Sequence, residues 1–162
     1  MTASPLILLL AGSRDLPEPG IVPGTLADIA LNIAEGPVVV RHGACPGEHS
    51  ADQAASDWIR DCGEWLGVTE DPMPADWDHC APNCPPGPGH RRRKASGDTA
   101  HPGLLPDYCP TAGPRRNEAM TLKLPRPDWM VAFPAPTGPS YGTRNCMRLA
   151  ADAGLAIYVI TA

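Results

Sequence analysis

The chain has 162 residues, 43% hydrophobic and 19% charged, with a formal net charge of −5. That length suits one domain with a buried core, and the negative balance excludes a general electrostatic attraction to nucleic acid. The first residues carry no basic stretch, and the apolar run Leu6–Ala11 is too short for a signal-peptide core or a membrane span. A cytoplasmic location with no membrane partner is therefore expected.

Leu6–Ala11 reads as a first, fully buried strand. Gly24–Ala34 carries Leu26, Ile29, Ala30 and Ile33 at helical spacing, with Thr25 as the expected N-cap and Gly36-Pro37 as the stop. Val38–Arg41 is a second strand that runs into His42-Gly43-Ala44. Ser50–Leu66 reads as a helix with Ala51, Ala54, Ala55, Trp58, Ile59, Cys62 and Leu66 on one broad face, ended by Gly67. Val68–Met73 is a short third strand. Gly113–Leu124 reads as a helix with Pro114 in its first turn. Asp128–Phe133 is a strand, Tyr141–Ala153 a helix closed by Gly154, and Ala156–Ile160 a last strand. Strands alternating with helices predict an α/β fold, a Rossmann-like three-layer α/β/α sandwich on a mainly parallel sheet. One domain spanning 1–162 is expected.

Between the third strand and the Gly113 helix, residues 76–112 show no periodicity. Of the 21 prolines, 15 lie between Pro72 and Pro139. A structureless stretch of this length inside a domain is expected to be functional or stapled. It holds Cys80-x3-Cys84, His90 and Cys109, the residue types of a tetrahedral structural zinc site. His79 and His101 are rival fourth ligands. Metal binding would offset the cost of ordering a Pro/Gly-rich loop. The six cysteines do not read as a disulfide set, given the chain's size and the missing leader. His90-Arg91-Arg92-Arg93-Lys94 is a basic run in the same stretch, with no aromatic interleaving to stack bases.

Two strand ends carry the residues of a phosphate site. Gly12-Ser13-Arg14 follows the first strand: glycine admits a ligand to the backbone, serine donates to phosphate and arginine pairs with it. Pro134, Gly138, Gly142 and Thr143 follow the Asp128–Phe133 strand in the same manner. Gly43 and Ala44 repeat the layout after the second strand, and Asp52, opening the next helix, is placed to hydrogen-bond a ribose or to cap. Arg115-Arg116-Asn117 opens a helix, where the dipole disfavours arginine unless an anion pairs with it. Neither G-x-G-x-x-G nor a P-loop occurs.

Taken in order, Gly12-Ser13-Arg14, His42-Gly43-Ala44 with Asp52, Ala112-Gly113-Pro114-Arg115-Arg116-Asn117 with Met120, and Ala132-Phe133-Pro134 with Gly138, Gly142 and Thr143 resemble the SLOG superfamily. The similarity is to its YspA/YpsA-related branch, small Rossmann-like domains of bacteria and phages. A cysteine-bearing insertion before the Ala-Gly-Pro-Arg-Arg-Asn segment is part of that likeness. The resemblance implies a nucleotide or nucleotide-derived ligand, such as ADP-ribose or NAD, at the C-terminal edge of the sheet, and pairing of two copies through helices. The related Lonely Guy phosphoribohydrolases carry a glutamate where Cys146 stands here, which favours a sensing or sequestering module over an enzyme. Hydrolysis of an N-glycosidic bond is the alternative, with Asp52 or Glu118 supplying the carboxylate. A nucleic-acid adaptor, as in the DNA-processing relatives, is the second alternative.

Overall fold

The computed structural model describes residues 2–161, Pro88 by its backbone alone; the termini of the expected 1–162 domain lie outside the described residues. Among the described residues seven strands form in chain order, β1 (Leu6–Gly12), β2 (Val38–His42), β3 (Val68–Pro72), β4 (Arg92–Arg93), β5 (Asp107–Tyr108), β6 (Trp129–Phe133) and β7 (Ala156–Val159). Four helices accompany them, α1 (Ile21–Asp28), α2 (Ala51–Asp61), α3 (Ala112–Leu122) and α4 (Tyr141–Asp152).

Five strands make one parallel sheet in the order β3-β2-β1-β6-β7. Strands β1 and β6 at its centre carry no polar side chain because both faces are covered. Leu8, Leu10, Val131 and Phe133 face α1 and α2, packing with Val22, Leu26, Ala51, Ala55 and Ile59. Their neighbours Leu9, Ala11, Met130 and Ala132 point the other way, onto Met120 of α3 and Cys146 and Ala150 of α4. Period-2 alternation thus sorts one run of leucines into two cores. The result is the expected Rossmann-like three-layer sandwich.

The first helix departs from its expected limits. It starts at Ile21, not Gly24, and continues as a π-helical turn over Ile29–Ile33. Pro23 is tolerated because it falls in the first turn, where its missing N–H costs no internal bond. Thr25 is no N-cap: its hydroxyl donates to Ile21 O at 2.8 Å from inside the helix. Gly20 holds the cap position without a side-chain bond. For α2 the cap is Ser50, which accepts from Gln53 N at 3.4 Å. The helix stops at Asp61, a 3₁₀ turn follows over Gly63–Leu66, and Gly67 closes it at φ 73°.

The stretch between β3 and α3 is ordered by two local devices. β4 and β5 pair antiparallel, Arg92 opposite Tyr108. Trp77, Cys109 and Ala112 form a small core of their own, with Cys109 N donating to Trp77 O at 2.9 Å. No helix among the described residues is long and apolar enough to cross a membrane.

Candidate ligand cleft and metal centre

Strand order decides where a ligand can enter. The chain leaves β1 toward β2 on one side and returns to β6 on the other, so β1 and β6 form a topological switch point, and crevices open at the carboxyl ends of such strands. A cleft of about 530 Å³ lies there. Its walls are the end of β1, the loop after β2, the first turns of α3 and α4, and two insertion residues, Trp77 and His101.

Gly12, Ser13, Arg14, Gly43, Asp52, Arg116, Asn117, Gly142 and Thr143 all line this cleft. Ser13 is buried; its hydroxyl accepts from Asp15 N at 3.0 Å and keeps its own hydrogen to donate. Arg14 is half-buried and makes no salt bridge among the described residues. The α4 N-terminus has no side-chain cap, because the Ser140 hydroxyl accepts from Ala135 N at 2.9 Å instead. A Cβ at Gly142 would meet nothing within 4 Å, so its backbone is open to approach.

Asp52 is the most unusual group in the cleft. Only 5% of the residue is exposed. Oδ2 accepts from Cys45 N at 3.1 Å, but Oδ1 is buried without a hydrogen-bond partner among the described residues. Buried acceptors are almost always paired, so a lone one beside a cleft calls for a donor that the protein does not supply.

Several of these residues also hold the cleft walls together. Gly12 is required by packing: a Cβ there would lie 2.4 Å from the Ala51 Cβ. The Arg116 guanidinium donates to Gly43 O, and to Met73 O at 3.1 Å, while Nε donates to Asn117 Oδ1 at 3.0 Å. It locks the β2 loop to α3 and lends the cleft its charge. The Asn117 amide is consumed by Asn145 Oδ1 at 2.9 Å and Gly142 O at 3.3 Å, tying α3 to α4. Ala44, Pro134 and Gly138 do not line the cleft. Ala44 holds φ 52° while its N–H donates to His42 Nδ1 at 3.1 Å. That bond leaves the His42 hydrogen on Nε2, facing Glu70 at 2.8 Å, so His42 is a buried structural residue.

Cys146 is buried in the core under α4, and burial pushes its thiol up to about 12, with Arg116 lowering and Asp52 raising it. Glu118 is exposed and lies outside the cleft wall. Cys45, a wall residue with no sequence signal, has its thiol raised by burial and by Asp52, against Arg116 and Arg14. Trp77, His101 and Asn145 were likewise illegible as wall residues, because no periodicity connects them to the strand ends.

Beside the cleft, Cys80, Cys84, His90 and Cys109 bring their ligand atoms within 4.8 Å of one another, a cluster that could hold a metal ion. The Cys84 and Cys109 sulfurs are 3.8 Å apart, and His90 Nε2 is 3.4 Å from the Cys109 sulfur. A tetrahedron with metal–sulfur bonds of about 2.3 Å has an edge of about 3.8 Å, so the spacing fits. The rivals His79 and His101 are not among the ligand atoms of this cluster.

Two arginines face the sulfurs. Arg115 Nη1 lies 3.4 Å from Cys84 and 3.5 Å from Cys109, and Arg91 Nη1 lies 3.5 Å from Cys80. Burial pushes the Cys109 thiol up, but hydrogen bonds from Thr111, Arg115 and His90 outweigh it and bring its pKa down to about 5. Cys80 is raised, by burial and then by its neighbour Cys109. Arg115 faces the thiols, and the Cys109 thiolate is the anion that accounts for an arginine at a helix N-terminus. Arg91 of the basic run is also paired, with Asp107 at 2.9 Å.

No protein-family model, curated protein or solved structure matches this chain.

Proposed function

We propose that the chain is a binding module for a nucleotide or nucleotide-derived ligand, held in the cleft at the ends of β1 and β6. The reading rests above all on Asp52 Oδ1, a buried carboxylate oxygen without a partner, whose complement is a ribose hydroxyl. Arg14 and the uncapped first turn of α4 supply the positive side that a phosphate needs. Gly142, Thr143 and Ser13 complete that end. The likeness to the SLOG superfamily belongs to the same proposal. Binding is favoured over hydrolysis because the glutamate position holds an inert core thiol and Glu118 lies away from the cleft.

Cys80, Cys84, His90 and Cys109 form, in this reading, a structural zinc site. Three thiolates and an imidazole around a divalent ion leave one negative charge, which Arg91 and Arg115 offset. Zinc would supply cross-linking, not catalysis, since the four protein ligands close the tetrahedron. The site pins the insertion that carries Trp77 and His101 to the cleft.

Native and denaturing mass spectra of the zinc-supplemented protein test both parts. A zinc-sized mass lost on unfolding is expected, as is calorimetric binding of at least one of AMP, NAD and ADP-ribose that Asp52→Asn and Arg14→Ala each weaken. Absence of zinc uptake would remove the metal assignment. Failure of all three ligands at millimolar concentration would remove the nucleotide reading. Conversion of AMP or NAD to base and sugar product would replace it with the hydrolase alternative.

A further inference from the structure

One wall of the cleft comes from the insertion and not from the sheet. The sheet cores are largely aliphatic, whereas Trp77 and Tyr108 gather beside the cleft around His101. The imidazole stacks on Tyr108 with ring centroids 3.7 Å apart and planes 9° apart. Trp77 meets the same imidazole edge-on at 4.7 Å. Trp77 and His101 both line the cleft.

His101 is fixed in rotation as well as position. Its Nδ1 lies 2.9 Å from Asp98 Oδ2. Asp98 is itself anchored, its Oδ1 accepting from Ala100 N at 2.7 Å and His101 N at 3.1 Å. Hydrogen bonds from the His101 ring and from both backbone amides, against burial, hold the Asp98 carboxyl below the usual carboxylate range. An ionised carboxylate only accepts, so in the neutral imidazole Nδ1 carries the hydrogen and Nε2 the lone pair. Nε2 has no hydrogen-bond partner within the described residues. The side chain is about one-fifth exposed, at 22%.

A ring stacked on one side, locked at one nitrogen and free at the other is a recognition element. We infer that this wall is a subsite for a flat nitrogen heterocycle, the base of the bound nucleotide, with His101 Nε2 accepting from an N–H on the base edge. Trp77 and Tyr108 hold the plane against which the base lies. The inference rests on the nucleotide reading and adds the end of the ligand opposite the phosphate. Base–aromatic contacts of this kind strengthen binding roughly 5- to 150-fold per base.

Calorimetry on the metal-loaded full chain tests it, with ribose 5-phosphate and the four common nucleoside 5′-monophosphates as probes. At least one nucleotide is expected to bind about tenfold or more tightly than ribose 5-phosphate. His101→Phe keeps a ring against Tyr108 and removes only the Nε2 acceptor; it should weaken nucleotide binding about fivefold and leave ribose 5-phosphate unchanged. Asp98→Asn, which frees the imidazole to rotate, should lose part of the nucleotide's advantage. Equal affinity of wild type for base-bearing and base-free probes would overturn the subsite while leaving the nucleotide reading intact. So would an unchanged nucleotide affinity in His101→Phe. Failure of every probe would overturn both.

Discussion

Asp52→Asn is expected to make the ligand-free protein more stable and the ligand-bound protein less so. The carboxylate is 5% exposed, with one oxygen on Cys45 N and the other without a partner. An unsatisfied buried acceptor costs about 1–3 kcal/mol, more when charged. Against this, a carboxylate in the first turn of α2 gains about 0.5 kcal/mol from the helix dipole. Asparagine has the same shape, keeps an oxygen for the Cys45 N–H and removes the charge, but its NH2 replaces the unpaired oxygen, so only the charged part of the penalty is relieved. The net expectation is a gain of about 1 kcal/mol, seen as a rise in Tm of roughly 2–4 °C for a chain of this length. Urea and thermal unfolding of the metal-loaded, ligand-free protein measure it. In wild type, a saturating nucleotide should raise Tm by mass action, and in the variant this rise should shrink or vanish. A variant that loses more than about 1 kcal/mol without ligand would refute the reasoning, since the carboxylate would then be satisfied by the fold itself. A variant with unchanged nucleotide affinity would show that Oδ1 meets no ligand donor.

Three further outcomes follow from the packing. Gly12→Ala should cost about 2–3 kcal/mol in urea unfolding, because its Cβ would lie 2.4 Å from Ala51 Cβ and 3.0 Å from Phe133 Cβ; a loss under about 0.5 kcal/mol would mean that α2 shifts freely. Asp71→Asn strips the charge partner from buried Arg41, whose Nε lies 2.8 Å from Asp71, and should cost about 2 kcal/mol, less than for a fully buried pair because Asp71 is 22% exposed. Burial pushes the Asp71 carboxyl up, but hydrogen bonds from Lys123 and Arg41 more than offset it and hold the native pKa low. Its stabilisation is therefore present above the unfolded-state pKa and lost as pH falls through the native one, so wild type should show a steeper acid limb than Asp71→Asn. Ala44→Gly relieves a non-glycine residue at φ 52° and should gain about 0.5 kcal/mol after the entropy of the added glycine; a loss on chemical denaturation would contradict the strain.

The layered α/β architecture was legible along the chain because strand and helix periods are set within single elements. Leu6–Ala11 is apolar at every position only if both faces are covered, and Gly67 and Gly154 mark helix ends by their left-handed backbone. The residue types of the cluster were legible too, since Cys80, Cys84, His90 and Cys109 need only be counted. Choosing His90 over His79 and His101 was not, because the turn that returns Cys109 to Cys84 is closed by the β4–β5 pair and by the bond from Cys109 N to Trp77 O. Strand order could not be read either, yet it puts the cleft between β1 and β6. Nor could the roles inside one short motif. Arg115 and Arg116 are adjacent on α3, but one faces thiols and the other faces two carbonyls. A sequence shows which residues share a helix face; what that face meets depends on elements brought from far along the chain. Asp52 carries this furthest: its place at the start of α2 was evident from spacing, while the lone buried oxygen exists only once the fold sets the carboxylate beside Cys45 at the cleft wall.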